Sequence, residues 1–260
     1  MHRGLLAVLL LWAVMLGLSA CGGGADADRK ELDRIHRDAD FTYQDDERET
    51  LIADALAIAK TRAGEPIGDE AMTVAQEIVL AYEGDLYAAR IPEPAADVED
   101  EYLAEFRNLA GFLEVVPPPY DATAVRERLH DRLTDRAESY LSRLERTLDS
   151  RRAWVAEIQA SGTTTSWTNH GFDQDAKSMA YLRDLAAGAG EPAEFVAGLD
   201  LVTNALLIAD WAPPTLDVRY ENGTFTNTYS PEAVAGAVQK NEDLAAAIGA
   251  ARQAVPLPAE

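Results

Sequence analysis

Three things are scarce in this 260-residue chain: cysteine, basic side chains and long apolar runs. It has one cysteine, which excludes an internal disulfide and a metal site built from several cysteines. Lysine and arginine number 23 against 45 aspartates and glutamates, so the formal net charge is −22. Because binding to phosphates needs a basic face, this balance argues against nucleic acid as a partner.

Sequence motifs of catalysis are also missing. The chain has no His-Glu-x-x-His zinc motif, no Gly-x-Ser-x-Gly nucleophile motif and no glycine-rich loop for phosphates or dinucleotides. We therefore expect no cofactor and no metal, and a protein that is not an enzyme. One enzymatic alternative stays open. A hydrolase of envelope polymers could use two carboxylates that are distant in sequence, as glycosidases do.

The first twenty residues have the order of a secretory signal. Arg3 supplies a positive start, residues 5–18 are uncharged and apolar, and Ser19 and Ala20 are small. A membrane-spanning helix needs about 20 apolar residues, which is longer than this run. The sequence therefore predicts a signal peptide over residues 1–20 rather than a membrane span.

The only cysteine directly follows this apolar run. The segment Leu18-Ser19-Ala20-Cys21 resembles the lipobox of bacterial lipoproteins, and the resemblance covers residues 1–21 alone. It implies cleavage before Cys21, a thioether-linked diacylglycerol on Cys21 and a further acyl chain, such as palmitate, on the new amino terminus. Two or more acyl chains hold a protein on a membrane stably. We expect a lipid-anchored protein of the bacterial cell envelope, and Gly22 in place of Asp resembles outer-membrane sorting towards the periplasm in a Gram-negative host.

The predicted domain organisation has three parts. Residues 1–20 are the signal peptide, residues 21–40 a lipidated tether with a polar segment, and residues 41–260 a single helical domain. Residues 22–25 are rich in glycine and predict a flexible tether, whereas residues 28–40 fit a helix or a solvated stalk. Three consecutive prolines place an optional sub-boundary at residues 116–120.

Helical spacing of apolar residues dominates the rest, so the predicted fold is a mainly α multi-helix bundle. A helix is predicted over residues 69–90, with Asp69 as its N-cap. One very long central helix is predicted over about residues 121–160, which hold eight acidic and eight basic side chains. We favour it as a scaffold whose arginines meet carboxylates of neighbouring helices, and the alternative is a surface for a partner.

A small C-terminal β-hairpin is predicted at about residues 215–229. Residues 216–220 and 224–229 favour strands, and Asn222-Gly223 between them is the preferred pair for a tight hairpin turn. Because an isolated hairpin is marginally stable in water, we expect it to pack on helices.

Two groups of polar residues are candidate ligand sites. Trp167, His170, Asp173 and Asp175 could bind a cation or form an acid–base pair. The alternative is a surface loop with Asp173 as a helix N-cap. Asp200 and Asn204 lie four apart on an apolar helix, where they could line a pocket inside the bundle or bond to nearby backbone.

Three classes of function follow. The favoured one is a non-enzymatic envelope lipoprotein that binds another envelope protein. The alternatives are a lipoprotein that binds a small ligand or cation, and a hydrolase with dispersed carboxylates.

Overall fold

The structure is a computed structural model, and it describes residues 24–42, 44–82, 84–87, 91, 103–164, 171–221 and 223–255. The signal peptide, Cys21, Trp167 and His170 lie outside these residues. The described chain forms eight helices and one three-stranded antiparallel sheet. This confirms the mainly α fold with one long helix and a small C-terminal hairpin. None of the helices described has the length and apolar character needed to cross a membrane.

The chain divides into two compact units. The first comprises the described residues of Met1–Leu86 and Val115–Ala122, and the second comprises those of Tyr87–Glu114 and Thr123–Glu260.

The first unit is built from three helices that pack on one another. They are α1 (Gly24–Ala39), α2 (Asp45–Thr61) and α3 (Pro66–Ala81). Their core is apolar and includes Leu32 and Ile35 of α1, Ile52 of α2 and Ala71 of α3, all buried. Helix α1 therefore belongs to the packed unit, so residues 28–39 are a helix rather than a stalk.

Three boundaries in the first unit correct the sequence predictions. The glycine-rich tether was expected to extend to residue 25, but the helix already begins at Gly24. Helix α3 begins at Pro66 with Glu65 as its N-cap, so Asp69 lies in the first turn. Proline has the backbone angle that the first helical position needs, and it starts the helix earlier than Asp69 would. The helix ends at Ala81, because Tyr82 is extended.

The second unit is a bundle around the long helix. Its elements are α4 (Leu103–Val115), α5 (Thr123–Ser161), β1 (Thr163–Thr164), α6 (Phe172–Gly188), α7 (Ala193–Ala209), β2 (Asp217–Glu221), β3 (Thr224–Thr228) and α8 (Pro231–Ala254). Helix α4 belongs to the second unit up to Glu114, and its last residue, Val115, is assigned to the first unit. Helix α5 contacts α6, α7 and α8, so it is the scaffold of this unit.

The inner stripe of α5 is mostly apolar. Fully buried members of the stripe include Val125, Leu129, Leu133, Leu141 and Leu144. On its polar side, arginines meet carboxylates of other helices. Arg132 contacts Glu105 of α4 at 2.9 Å, and Arg143 contacts Asp175 of α6 at 2.5 Å. These contacts agree with the scaffold interpretation of the neutral helix.

The sheet has the strand order β1-β3-β2. Strand β2 pairs with β3 along its whole length, from Asp217 opposite Thr228 to Glu221 opposite Thr224. The short strand β1 pairs with the far end of β3 through Thr163 and Thr164, and the sequence did not predict it.

Candidate interaction surface

The hairpin stands out from the second unit. Every residue of β2 is exposed, so both faces of this strand meet solvent. In β3, Thr224 and Phe225 next to the turn are exposed as well. This corrects the expectation that the hairpin packs on helices. The expectation was based on the marginal stability of an isolated hairpin, whereas this hairpin is held at its base and pairs with β1.

One side of the hairpin is an exposed apolar face. Side chains alternate along a strand, so Val218 and Tyr220 of β2 share one side, and Phe225 is the cross-strand neighbour of Tyr220. Their exposed fractions are 53%, 62% and 59%, and Leu216 just before β2 is 70% exposed. We call Val218, Tyr220 and Phe225 the apolar face. The rings of Tyr220 and Phe225 lie 4.6 Å apart, so the face is a preformed cluster.

The opposite side of β2 is charged. Asp217, Arg219 and Glu221 alternate with the apolar residues, and the Arg219 Nε contacts the Asp217 carboxylate at 3.0 Å. Both partners of this ion pair are largely exposed, so it contributes little to stability. Gly223 in the turn has φ of 82°, a conformation that glycine adopts without the steric cost of a side chain.

The segment that follows β3 is anchored by aromatic packing. Tyr229 directly follows β3, is buried and packs edge-on against Trp154 of α5, with ring centroids 4.9 Å apart. Burial raises the pKa of the Tyr229 phenol, which agrees with a ring kept from water. Ser230 then caps α8, because its hydroxyl oxygen accepts a hydrogen bond from the Ala233 N–H at 3.1 Å. The exit from β3 is therefore fixed.

The segment that leads into the hairpin is anchored by a buried arginine. Arg151 of α5 is 4% exposed, and its guanidinium donates to the backbone carbonyls of Ala209 and of Trp211, the latter at 3.0 Å. Burial lowers the pKa of this guanidinium. Trp211 also packs on the cluster that contains Trp154 and Tyr229. Tyr229, just after the hairpin, and Trp211, in the segment before it, thus meet one core cluster while the strands project from it.

Strand β2 is an edge strand. The described residues hold no strand on its far side. In a hairpin with a two-residue turn, the pair flanking the turn is hydrogen-bonded, and hydrogen-bonded pairs then alternate along the ladder. Asp217, Arg219 and Glu221 therefore bond to β3, and the backbone N–H and C=O groups of Val218 and Tyr220 point to the free edge. An exposed edge of this kind is a template for pairing with another strand.

The loop candidates are only partly described, since Trp167 and His170 lie outside the described residues. Asp173 contacts Lys177 at 2.8 Å, and Asp175 contacts Arg143 at 2.5 Å. The N-cap of α6 is Gly171, so the expectation that Asp173 caps this helix is wrong. Asp173 lies in the first turn, where a negative charge interacts favourably with the helix dipole.

Asp200 and Asn204 lie on the outer side of α7. Both are exposed, which corrects the expectation that they face the interior. The Asp200 carboxylate contacts the Arg183 guanidinium of α6 at 2.5 Å. Nearly every other position of α7 is apolar, so its polar residues take the narrow exposed stripe.

The structure does not bring the candidate carboxylates together into one site. Asp173, Asp175 and Asp200 each form an ion pair with a different basic side chain. Within the part of the chain that is described, no group of three or more His, Cys, Asp or Glu side chains could hold a metal ion.

The first unit carries a surface cleft of about 370 Å³. Its lining is mostly apolar and holds one charged side chain: Ala53, Leu56, Ala57, Lys60, Val115, Val116, Pro117 and Pro118. Small-molecule sites usually combine an apolar lining with several converging polar groups. The cleft lacks that combination, whereas the hairpin combines exposed aromatics with a strand that has no neighbour on its outer side among the described residues.

Comparison with known protein families, with characterised proteins and with solved structures finds no match for this chain.

Proposed function

We propose that this protein is an exported, lipid-anchored protein of the bacterial envelope that binds another protein chain through the β2–β3 hairpin. The lipid is attached to Cys21, as the resemblance of residues 18–21 to a lipobox implies. The role is binding rather than catalysis. The observation that carries it is the projecting hairpin, which offers an apolar face and a free strand edge at once.

The concentration of exposed apolar side chains supports this proposal. Seven large apolar residues are exposed in the described chain, and four of them are in or next to the hairpin: Leu216, Val218, Tyr220 and Phe225. Scattered single residues would need no explanation, but clustered ones are typical of interaction sites. Covering such a side chain fully contributes about 1.5–3 kcal/mol. Aromatic residues are also enriched where proteins bind one another.

Site-specific photocrosslinking in intact cells tests this role. A photoreactive phenylalanine analogue replaces Tyr220 in the full-length lipidated chain, and crosslinked products are detected by a shift in gel mobility. We expect a discrete crosslinked product, because Tyr220 is at the centre of the apolar face. The matched control is the same analogue at Leu207, an exposed apolar residue of α7 that is 55% exposed. No product at position 220, or equal products at 220 and 207, would overturn the proposed role of the hairpin.

The anchor has a separate test. Cys21→Ser removes the thiol that accepts the lipid, so we expect loss of label from radioactive palmitate and an unprocessed signal peptide. Ser19→Ala keeps a small residue before the cysteine and is the matched control, which should be labelled normally. Unchanged labelling of the Cys21→Ser chain would contradict the lipobox assignment without bearing on the hairpin.

A further inference from the structure

The edge of β2 is complementary to itself. Resting on the proposed binding role of the hairpin, we propose that its partner is a second copy of this chain, paired antiparallel through β2 with Val218 opposite Val218. This pairing joins two three-stranded sheets into one sheet of two chains related by a twofold axis.

The residues of β2 whose backbone N–H and C=O groups point to the free edge are the ones that this pairing needs. Because Val218 directs its N–H and C=O to the free edge, two copies of Val218 facing each other exchange both backbone hydrogen bonds. The N–H of Tyr220 also points outwards, whereas Leu216 lies before the start of β2. The N–H of Leu216 is already used, since it donates to the Thr228 carbonyl at 2.8 Å.

The side chains fit the same register. With Val218 at the twofold axis, Asp217 of each copy lies directly opposite Arg219 of the other. Opposite charges in this position stabilise a strand pair, and they do so twice because of the symmetry. On the other side of the sheet, Tyr220 of each copy lies beside Leu216 of the other, so apolar residues meet apolar residues.

Neighbouring registers are less favourable. A shift that centres Arg219 keeps the hydrogen-bond phase, but it places Arg219 opposite Arg219 and Asp217 opposite Glu221. Like charges directly opposite each other are destabilising. A shift that centres Tyr220 restores an opposite-charge pair between Arg219 and Glu221, but it leaves Leu216 without a neighbour. The Val218 register alone satisfies the backbone, the charges and the apolar residues together.

The charge pattern of β2 is complementary to that of a second copy. A chain with net charge −22 repels a copy of itself in general, so a self-contact needs local compensation. Strand β2 supplies it, because its single arginine meets an aspartate in the Val218 register. Anchoring both copies to one membrane would also raise their effective concentration, which lets a small contact suffice.

A cysteine scan of the full-length chain in intact cells tests the register. Cα atoms of a directly opposed hydrogen-bonded pair lie ~5.5 Å apart, which suits a disulfide. We therefore expect Val218→Cys to give a covalent dimer under an added oxidant on a non-reducing gel. Arg219→Cys and Tyr220→Cys should give at least several-fold less dimer, because each lies opposite a different residue. The natural sequence has no cysteine beyond Cys21, so the unsubstituted chain reports the background.

Charge variants in the Val218→Cys chain provide a second test. Asp217→Arg places arginine opposite arginine at both symmetric positions, and we expect most of the covalent dimer to be lost. Adding Arg219→Asp to that chain restores opposite charges across the twofold axis and should restore the dimer. These positions are exposed, so circular dichroism should show the same helix content in every variant.

The outcomes separate this inference from the proposed function. If position 220 photocrosslinks to a protein of different mass and Val218→Cys gives no dimer, the hairpin binds a partner and self-pairing is wrong. Equal dimer yields at positions 218, 219 and 220 would also overturn the proposed register. If position 220 crosslinks to nothing, the binding role of the hairpin itself is wrong.

Discussion

Two aromatic pairs in the second unit have similar contact distances and opposite surroundings. Trp154 and Tyr229 lie 4.9 Å apart and are 4% and 6% exposed, whereas Tyr220 and Phe225 lie 4.6 Å apart and are mostly exposed. The buried pair joins α5 to the start of α8. The exposed pair joins only β2 to β3, at the part of the hairpin that projects from the bundle.

The difference shows that a ring contact is not by itself a measure of a residue's role in folding. Burial of the Trp154 and Tyr229 rings removes apolar surface from water when the chain folds, so that gain is part of the stability of the unit. The Tyr220 and Phe225 rings leave most of their surface in water. The gain from covering that surface is available only when something binds.

The largest expected effect is on the buried pair. Trp154→Ala should lower the free energy of unfolding by about 3–5 kcal/mol, the usual cost of truncating a buried tryptophan. Urea denaturation followed by circular dichroism measures this. Tyr220→Ala changes an exposed ring and should cost far less, so a similar loss for both variants would contradict the roles assigned to the two pairs.

A smaller effect is expected at the buried arginine that holds the start of the hairpin. Arg151→Met leaves the carbonyls of Ala209 and Trp211 without their donor, at a cost of about 1–3 kcal/mol. Hydrogen exchange should also become faster in residues 209–216. Arg152→Met is the matched control, because Arg152 is the exposed neighbour, and it should change neither quantity.

A third, smaller effect is expected at the ion pairs between α8 and α5. Arg252 of α8 bonds to Glu138 and to Glu145 of α5, the latter at 2.9 Å, and all three are partly exposed. Solvent screens such a network, so Arg252→Gln should cost about 1 kcal/mol or less. The cost should shrink further in 1 M salt, where the Debye length is ~3 Å. A cost that does not change with salt would mean that packing, rather than charge, dominates at this position.

The smallest effect is expected on the exposed pair. Tyr220→Ser and Phe225→Ser should each change the free energy of unfolding by no more than about 0.5 kcal/mol, since exposed substitutions rarely do more. Each variant should nevertheless reduce dimer formation in the Val218→Cys chain. A loss of stability without a loss of crosslinking would reverse the roles assigned to the two aromatic pairs.

Much of the fold could be predicted from local patterns. Apolar spacing predicted the long helix from about residue 121, and α5 begins at Thr123, two residues later. Asn222-Gly223 predicted the hairpin turn, and Glu221 pairs with Thr224 across it. The end of α6 is also a local feature, because Gly190 just after it has φ of 79°, which favours glycine. These features depend on neighbours in sequence, which a single chain displays directly.

The surface could not be predicted in the same way. Alternation in β2 shows that one face is apolar, but it does not show whether another element covers that face. The polar pair on α7 was misplaced for a related reason, because an almost wholly apolar helix gives little indication of which narrow side meets water. Arg151 gave no signal in the sequence, since its role depends on carbonyls 58 and 60 residues away.

The turn at Gly223 has a practical consequence for work on living cells. It lies at the end of a ladder that carries no part of the core, and it is exposed. Exposed turns of this kind accept added sequence without loss of the fold. A short epitope or a protease site placed there would report on which side of the membrane the domain lies, while the helical bundle remains as it is.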